Sequence, residues 1–267
     1  MKDATIKKTA DMQLPAVYYN KDKEYLPIMS KKDINADAEN VALTFLKISD
    51  PGFKLPCRID IEQLAEFYEI ELDYADFCDK NILGASVFID GTVFDVNIDG
   101  INVKKPFCQN SIVISDRIAV NNRTGRMRFT IGHEIGHFMY HAHIYSDETP
   151  LLFPLDELNH NSVLCGQDNI EMFYKNRFNL KEWQADYFSA ALLMTTASSK
   201  AFILNMYKKI YGRDTYEIHG CLDKIKILRQ KDFIAEFADF FDVSFQAAFY
   251  RCEDLGFFNE TNFENLF

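Results

Sequence analysis

Residues 128–141 read RFTIGHEIGHFMYH, and the spacing inside this stretch predicts the fold around it. His133 and His137 are four positions apart, so on a helix they lie on one face, one turn apart. Two imidazoles in that arrangement can bind a single metal ion. Glu134, next to the first histidine, can then take a proton from a water molecule that the ion activates. The alternative is an ordinary amphipathic helix that carries two surface histidines.

The neighbouring apolar residues favour a buried helix over that alternative. They form a stripe around the histidines: Met127, Ile131, Ile135, Phe138 and Met139. A catalytic zinc ion usually has three protein ligands and one open position. The stretch itself supplies two, so a third ligand is expected elsewhere in the chain.

Residues 179–186 offer that ligand on a second predicted helix. Glu182 and Asp186 are again four positions apart and share a face. A carboxylate at position 182 can bind the metal, whereas one at position 186 can accept the N–H of a ligand histidine from outside the ligand shell. Two helices that each carry such a polar pair among apolar neighbours are difficult to explain as coincidence.

The two segments resemble the ImmA/IrrE family of metallo-endopeptidases, whose pattern is similar to RxRFTxAHELGH followed by ExxA(N/D)xFAAxLLMP. The matching stretches are 126–137 and 182–194, and the resemblance covers about residues 36–256. Gly132 stands where the family usually has Ala, and Thr195 where Pro often ends the second helix. Neither difference touches a predicted ligand.

This resemblance implies an α+β fold with a zincin-like core, in which a small twisted β-sheet lies beside two metal-binding helices, plus a C-terminal helical subdomain. We predict an N-terminal extension at 1–33, a metallopeptidase domain at 34–212 and a helical subdomain at 213–267. The resemblance also implies that an edge strand beside the metal helix holds the substrate in extended form. The alternative is a sheet whose edge is covered.

Local patterns place further elements along the chain. They predict helices at 34–48, 60–69 and 199–211, a strand at 70–74, and strands at 82–89, 92–98 and 111–115. The pairs Asp90-Gly91 and Asp99-Gly100 are typical of hairpin turns. Residues 142–179 are predicted to be a loop-rich insertion with a short helix near 170–174.

The C-terminal segment has the spacing of a helix-turn-helix, with its turn at residues 242–244. Residues 231–267 contain 2 basic and 8 acidic residues, a net charge of −6. DNA binding requires the opposite sign, so we predict a structural or protein-docking role.

Composition limits the function further. The 267 residues carry a net charge of −11, so we expect no direct binding to nucleic acid. The sequence has no apolar run long enough for a membrane span and no apolar signal-peptide core, which predicts a cytoplasmic protein without membrane association. The 6 cysteines are scattered without a CxxC pair and are predicted to be reduced thiols.

Two further histidines compete for roles at the site. His143 lies ten residues after His133, where metzincins place a third ligand, but position 140 is Tyr instead of the glycine that such a chain reversal needs. It is therefore the weaker candidate. His141 lies one turn beyond His137 and either assists at the site, for example by stabilising an oxyanion, or caps the helix C-terminus.

These observations predict a metal-dependent endopeptidase in which His133, His137 and Glu182 hold the ion and Glu134 is the base. Zinc fits two imidazoles and a carboxylate, and manganese and iron are also compatible with these ligand types. The resemblance implies an intracellular protein substrate, often a helix-turn-helix repressor, and the acidic chain suits a basic, DNA-binding partner. The alternative is a non-catalytic, metal-containing regulatory module, against which the presence of Glu134 argues.

Overall fold

The computed structural model describes residues 19–20, 26–119, 124–145, 162–166, 180–212, 219–223 and 227–258. Its strands are β1 (Tyr19–Asn20), β2 (Leu26–Pro27), β3 (Glu71–Ala75), β4 (Ile82–Val87), β5 (Thr92–Ile98), β6 (Ile101–Phe107), β7 (Ser111–Ser115) and β8 (Ser162–Gly166). Its α-helices are α1 (Lys31–Ser49), α2 (Ile61–Phe67), α3 (Asp116–Ala119), α4 (Thr124–Tyr140), α5 (Leu180–Leu193), α6 (Thr196–Tyr211), α7 (Ile227–Phe241) and α8 (Phe245–Asp254). The short helix predicted near 170–174 lies outside the described residues.

The protein is of the α+β class, with a zincin-like core, as predicted. Its chain forms two compact units, one made of Met1–Asp37 and Asp60–Ser189, the other of Ala38–Ile59 and Ala190–Phe267. The first unit contains the sheet and the predicted metal-binding residues. The second is helical in its described part.

A four-stranded sheet of order β3-β7-β4-β8 lies in the first unit. Strand β7 is parallel to β3 and antiparallel to β4, and all five of its residues are buried. A strand that pairs with a strand on each side and is buried on both faces favours a continuous apolar run. This explains the sequence SIVIS at residues 111–115. This central strand is followed by α3 and then by α4, the helix that carries His133, Glu134 and His137.

The two predicted hairpin turns have different outcomes. Asp99 and Gly100 have φ angles of 52° and 85°, and they join the antiparallel pair β5 and β6 as a primed turn does. The hairpin predicted at Asp90-Gly91 is wrong. Strand β4 pairs with β7 and β8, whereas β5 pairs with β6 in a separate sheet, so this turn connects two sheets.

Strand β4 is the strand that contacts α4 at Glu134. In the described residues it is paired on both sides, with β7 on one and with β8 on the other. Strand β4 is thus an interior strand, and β8, which also contacts α4, is the outer strand on that side of the sheet in the described residues. That an edge strand beside this helix holds an extended substrate stays a prediction. Sequence patterns did not predict β8, which comes from the 142–179 insertion.

Helix α1 begins three residues before its predicted start because Ser30 and Asp33 form a capping box. The backbone N–H of Ser30 donates to Asp33 Oδ2 at 2.9 Å, and the backbone N–H of Asp33 donates to Ser30 Oγ at 3.3 Å. Asn35 Nδ2 donates to Tyr187 Oη at 2.8 Å, and Tyr140 Oη donates to Asp37 Oδ2 at 3.1 Å. The first turns of α1 thus hold both site helices.

Helices α4 and α5 approach each other at two glycines. A Cβ at Gly136 would lie 2.9 Å from Ala185 Cα, a backbone atom that cannot move aside. A Cβ at Gly132 would lie 2.6 Å from Ser189 Oγ, which donates to the Phe129 carbonyl at 2.8 Å. The glycine at position 132, where the family pattern has Ala, therefore makes room for the hydroxyl of Ser189.

Replacing Gly132 with Ala is expected to destabilise the protein, although Ala is the better helix former by about 1 kcal/mol. Overpacking against Ser189 should cost about 1–3 kcal/mol. The double variant Gly132→Ala/Ser189→Ala removes the clash and should recover most of the loss. Urea unfolding of the wild type, both single variants and the double variant measures this coupling, and strictly additive effects would contradict it.

The second unit is built on an aromatic core. Phe202 of α6 packs against Phe237 and Phe241 of α7, with ring centroids 5.4 and 6.0 Å apart. The predicted boundary at residue 212 lies between α6 and α7, and it stays a prediction. Helix α6 ends as predicted at Gly212, whose φ of 66° is left-handed, and Ser244 caps α8 after the predicted turn.

No single helix of the described residues is long and apolar enough to cross a membrane. Helices α5 and α6 reach that length and composition only when taken together, and they are bent by 48° where they meet. Most of α5 is buried, as is usual for a core helix.

Candidate metal centre

Three predicted ligand residues come together where α4 faces α5. The Nε2 atoms of His133 and His137 are 2.9 Å apart. Glu182 Oε2 lies 3.3 Å from His133 Nε2, and Glu182 Oε1 lies 3.6 Å from His137 Nε2. Both histidines are fully buried, and the carboxylate is only partly so. The i,i+4 spacing on α4 produces the histidine pair, and the first turn of α5 supplies the carboxylate.

Asp186 determines which nitrogen of His133 faces this cluster. Its Oδ1 lies 2.7 Å from His133 Nδ1, in the position predicted for a residue outside the ligand shell. A carboxylate can only accept, so the proton of His133 is on Nδ1 and its Nε2 carries a lone pair. Burial raises the pKa of Asp186, and the interaction with His133 acts against that rise.

The donor set fits a divalent metal ion. One atom from each of His133, His137 and Glu182 lies within 4.8 Å of the others, and His143 is not part of this group. The lone pair on His133 Nε2 lies 2.9 Å from Nε2 of His137, and a divalent cation held by these two residues would stabilise it. Two imidazoles and one carboxylate are a common ligand set for catalytic zinc.

Glu134 is fully buried beside this cluster and is held by β4. Ser86 Oγ donates to Glu134 Oε2 at 2.6 Å, and its alternative acceptor is the Glu134 carbonyl at 3.2 Å. The other carboxylate oxygen, Oε1, has no hydrogen-bond partner among the described residues. Burial raises the pKa of this carboxyl to about 7, while His133 and Ser86 act to lower it. One oxygen is thus anchored, and the other is available to a reacting group.

Strand β4 also provides the space that this carboxylate needs. A Cβ at Gly84 would lie 2.5 Å from Thr130 Cγ2 and 3.1 Å from Glu134 Oε1. The glycine lets the strand backbone approach the helix at the base. A larger residue at position 84 would push the strand away or displace Glu134.

The ring of His141 lies between the ring of His137 and the side chain of Gln184. Its Nδ1 is 2.8 Å from His137 Nδ1, and its Nε2 is 3.0 Å from Gln184 Oε1. Gln184 Nε2 in turn donates to the Pro27 carbonyl at 2.6 Å. His141 is fully buried and contacts His137, one of the predicted ligands. His143 lies in a short 3₁₀ turn, Ala142–Tyr145.

A comparison with protein-family models matches residues 97–253 to the peptidase family described as the IrrE N-terminal-like domain. This match spans more than half of the chain and contains both site helices. The chain belongs to the ImmA/IrrE family. Its activity is accordingly of the metallopeptidase type. No curated protein is similar enough to be counted as a relative of this family member.

Sequence analysis of this ImmA/IrrE protein missed three residues that contact the site, namely Pro27, Ser86 and Gln184. Gln184 had one local signal, since it is a polar residue inside the apolar part of α5. Ser86 and Pro27 had none, because a serine in a strand and a proline near a helix are common anywhere. Their roles depend on contacts between residues that are far apart in the chain.

Ser86→Ala is expected to lower kcat by roughly 10–100-fold, the effect of losing a hydrogen bond to a charged group worth about 1.5–3 kcal/mol. KM should change little, because the hydroxyl faces Glu134. Steady-state kinetics on a cleavable peptide measure both constants. Ser115→Ala is a matched control, since this buried strand serine has no hydrogen-bond partner among the described residues. Equal losses in the two variants would argue against a role of Ser86 at Glu134.

Proposed function

We propose that this protein is a zinc-dependent endopeptidase that cuts a basic, DNA-binding repressor at one or very few positions. The observation that supports peptide hydrolysis best is the state of Glu134. It is a buried carboxylate with one oxygen anchored by Ser86 and the other unpartnered, next to the cluster of His133, His137 and Glu182. A purely structural metal site has no use for such a base.

In this proposal His133, His137 and Glu182 hold the ion, and zinc suits their donor atoms. A divalent cation there supplies Lewis acidity to the attacking water and to the peptide carbonyl. Glu134 Oε1 accepts the proton of the water and then delivers it to the leaving nitrogen. Ser86 keeps the carboxylate in reach of both positions, and Asp186 keeps His133 in the required tautomer.

The charge of the chain supports a basic substrate. The net charge is −11, and five exposed carboxylates line one open cavity between α2 and β3, namely Asp60, Glu62, Glu66, Glu69 and Glu71. An acidic surface speeds the encounter with a basic partner and makes that encounter salt-dependent. Selectivity also needs contacts beyond the metal, since an extended peptide backbone is the same in every substrate.

The test is incubation of the zinc-loaded protein with a helix-turn-helix repressor encoded by the neighbouring gene, followed by mass spectrometry of the intact products. We expect one or very few cuts, inhibition by a chelator, and a rate that falls as salt is raised from 50 to 300 mM. Casein should be cleaved poorly. The Glu134→Gln protein, prepared in the same way, controls for contaminating peptidases.

Three outcomes would count against the proposal. Equal cleavage by the wild type and by Glu134→Gln would show that the activity is not its own. Efficient digestion of many unrelated proteins would indicate a general peptidase. Binding of the repressor without any cut, by a zinc-loaded protein, would favour the regulatory module.

A further inference from the structure

Four buried groups form a hydrogen-bonded chain that ends on His137. In order they are the Pro27 carbonyl, the Gln184 side chain, and the rings of His141 and His137, with successive separations of 2.6, 3.0 and 2.8 Å. We call this the anchoring chain. Gln184, His141 and His137 are each fully buried, so no bulk water exchanges with these bonds. Each group must therefore be satisfied by its neighbours in the chain.

The direction of these hydrogen bonds follows from the first group. A backbone carbonyl can only accept, so Gln184 presents its NH2 group to Pro27 and its Oε1 to His141. Since Oε1 also only accepts, the ring proton of His141 is on Nε2. The orientation of the amide is thus fixed by chemistry and does not depend on telling its oxygen from its nitrogen.

The same reasoning extends to His137. Both ring partners of His141 among the described residues are uncharged groups, and a buried imidazolium without a carboxylate would be costly. A neutral His141 with its proton on Nε2 has an acceptor at Nδ1. His137 must then donate from Nδ1, which leaves the lone pair on its Nε2, the atom that lies 3.6 Å from Glu182 Oε1.

We infer that Gln184 and His141 are positioning residues that fix His137 as an Nε2 metal ligand, and that the Pro27 carbonyl sets the direction of the whole chain. This inference rests on the proposed metal site and adds a partner for its second histidine. Asp186 fixes His133 with a carboxylate, whereas His137 is fixed by an uncharged relay. The residues just before α1 thereby become part of the metal centre, although they contribute no ligand.

The direct test is ¹⁵N NMR of the protein loaded with ¹¹³Cd²⁺. We expect cadmium coupling to Nε2 of His137, a proton on its Nδ1, and a proton on Nε2 of His141. Coupling to Nδ1 of His137, or a proton on Nδ1 of His141, would overturn the inference. This measurement uses the wild-type protein and so needs no variant to fold.

A variant pair supplies a second readout. Gln184→Leu removes both hydrogen bonds of the side-chain amide. It should weaken cadmium affinity about 10–100-fold, as changes outside the ligand shell usually do. Gln230→Leu is the matched control, because Gln230 is also buried and donates to a backbone carbonyl, that of Leu222, at 2.8 Å. It should lose stability and keep its metal affinity. A folded Gln184→Leu protein with wild-type affinity would contradict the inference.

The result is independent of peptidase activity. A protein that shows the expected ¹¹³Cd pattern and cleaves nothing would refute the proposed function and leave the anchoring chain intact. An active enzyme in which His137 binds the metal through Nδ1 would refute the anchoring chain and leave the proposed function intact.

Discussion

Glu134→Gln is expected to lower kcat for peptide cleavage by about 10²–10⁴-fold, the usual contribution of a general acid–base group. The amide has the size of the carboxylate but cannot accept a proton at Oε1, the oxygen that is unpartnered in the described residues. Metal content should stay near that of the wild type, because Glu134 is not one of the three clustered ligand residues. Single-turnover cleavage and metal analysis of the same preparation measure the two quantities.

Glu236→Gln is the matched control for this change. It makes the same chemical substitution at an exposed residue of α7 that is not part of the acidic cavity, and it should leave kcat unaltered. Full activity of a folded, metal-loaded Glu134→Gln protein would end the endopeptidase proposal.

Glu182→Ala is expected to reduce metal affinity by well over the roughly 100-fold that changes outside the ligand shell produce. Its carboxylate is the one anionic donor that the described residues bring to the two histidines in the ligand cluster. Asp186→Ala should give an intermediate loss of about 10–100-fold, because its bond to His133 orients a ligand without replacing one. Competition with a chromophoric chelator measures all of these affinities.

His143→Ala provides the contrast, and its affinity should stay close to that of the wild type. This histidine is the position that a metzincin-like arrangement would use. Tight binding in Glu182→Ala together with weak binding in His143→Ala would therefore favour that arrangement over the one described.

The cluster was predictable because helical periodicity is local. The i,i+4 spacing places His133 with His137, and Glu182 with Asp186, on single faces before anything is known of the tertiary structure. That the two faces meet is a tertiary fact, but apolar neighbours on both helices made burial of each face expected. Sequence analysis thus named all three residues that the structure brings within ligand distance.

Residues that support the site were not predictable in the same way. Ser86 and Glu134 are 48 positions apart, and Gln184 and Pro27 are 157 apart. No local period connects such pairs. Sequence analysis expected His141 to assist at the site or to cap the helix terminus, and both roles stay predictions. It did not foresee that the ring of His141 contacts both His137 and Gln184.

Sheet connectivity was only partly predictable. Strand β7 and the Asp99-Gly100 turn follow from composition, since a continuous apolar run favours a central strand and this dipeptide favours φ > 0. Asp90-Gly91 satisfies the same rule yet joins strands of different sheets. A turn motif predicts that the backbone reverses direction, but it does not determine which strands pair. Strand β4 pairs with β7 and β8 instead of with β5.

The close approach at Gly136 and Ala185 has a consequence for anyone who wants to transplant this centre into a designed scaffold. A side chain at position 136 would collide with the backbone of the opposite helix, so the helix axes can be this near only with a glycine there. Copying the five letters of the histidine motif onto an arbitrary helix would reproduce two ligands and leave the third out of reach. A transplant therefore has to include both helices and the contact between Gly136 and Ala185, because only the helix pair brings all three ligand residues together.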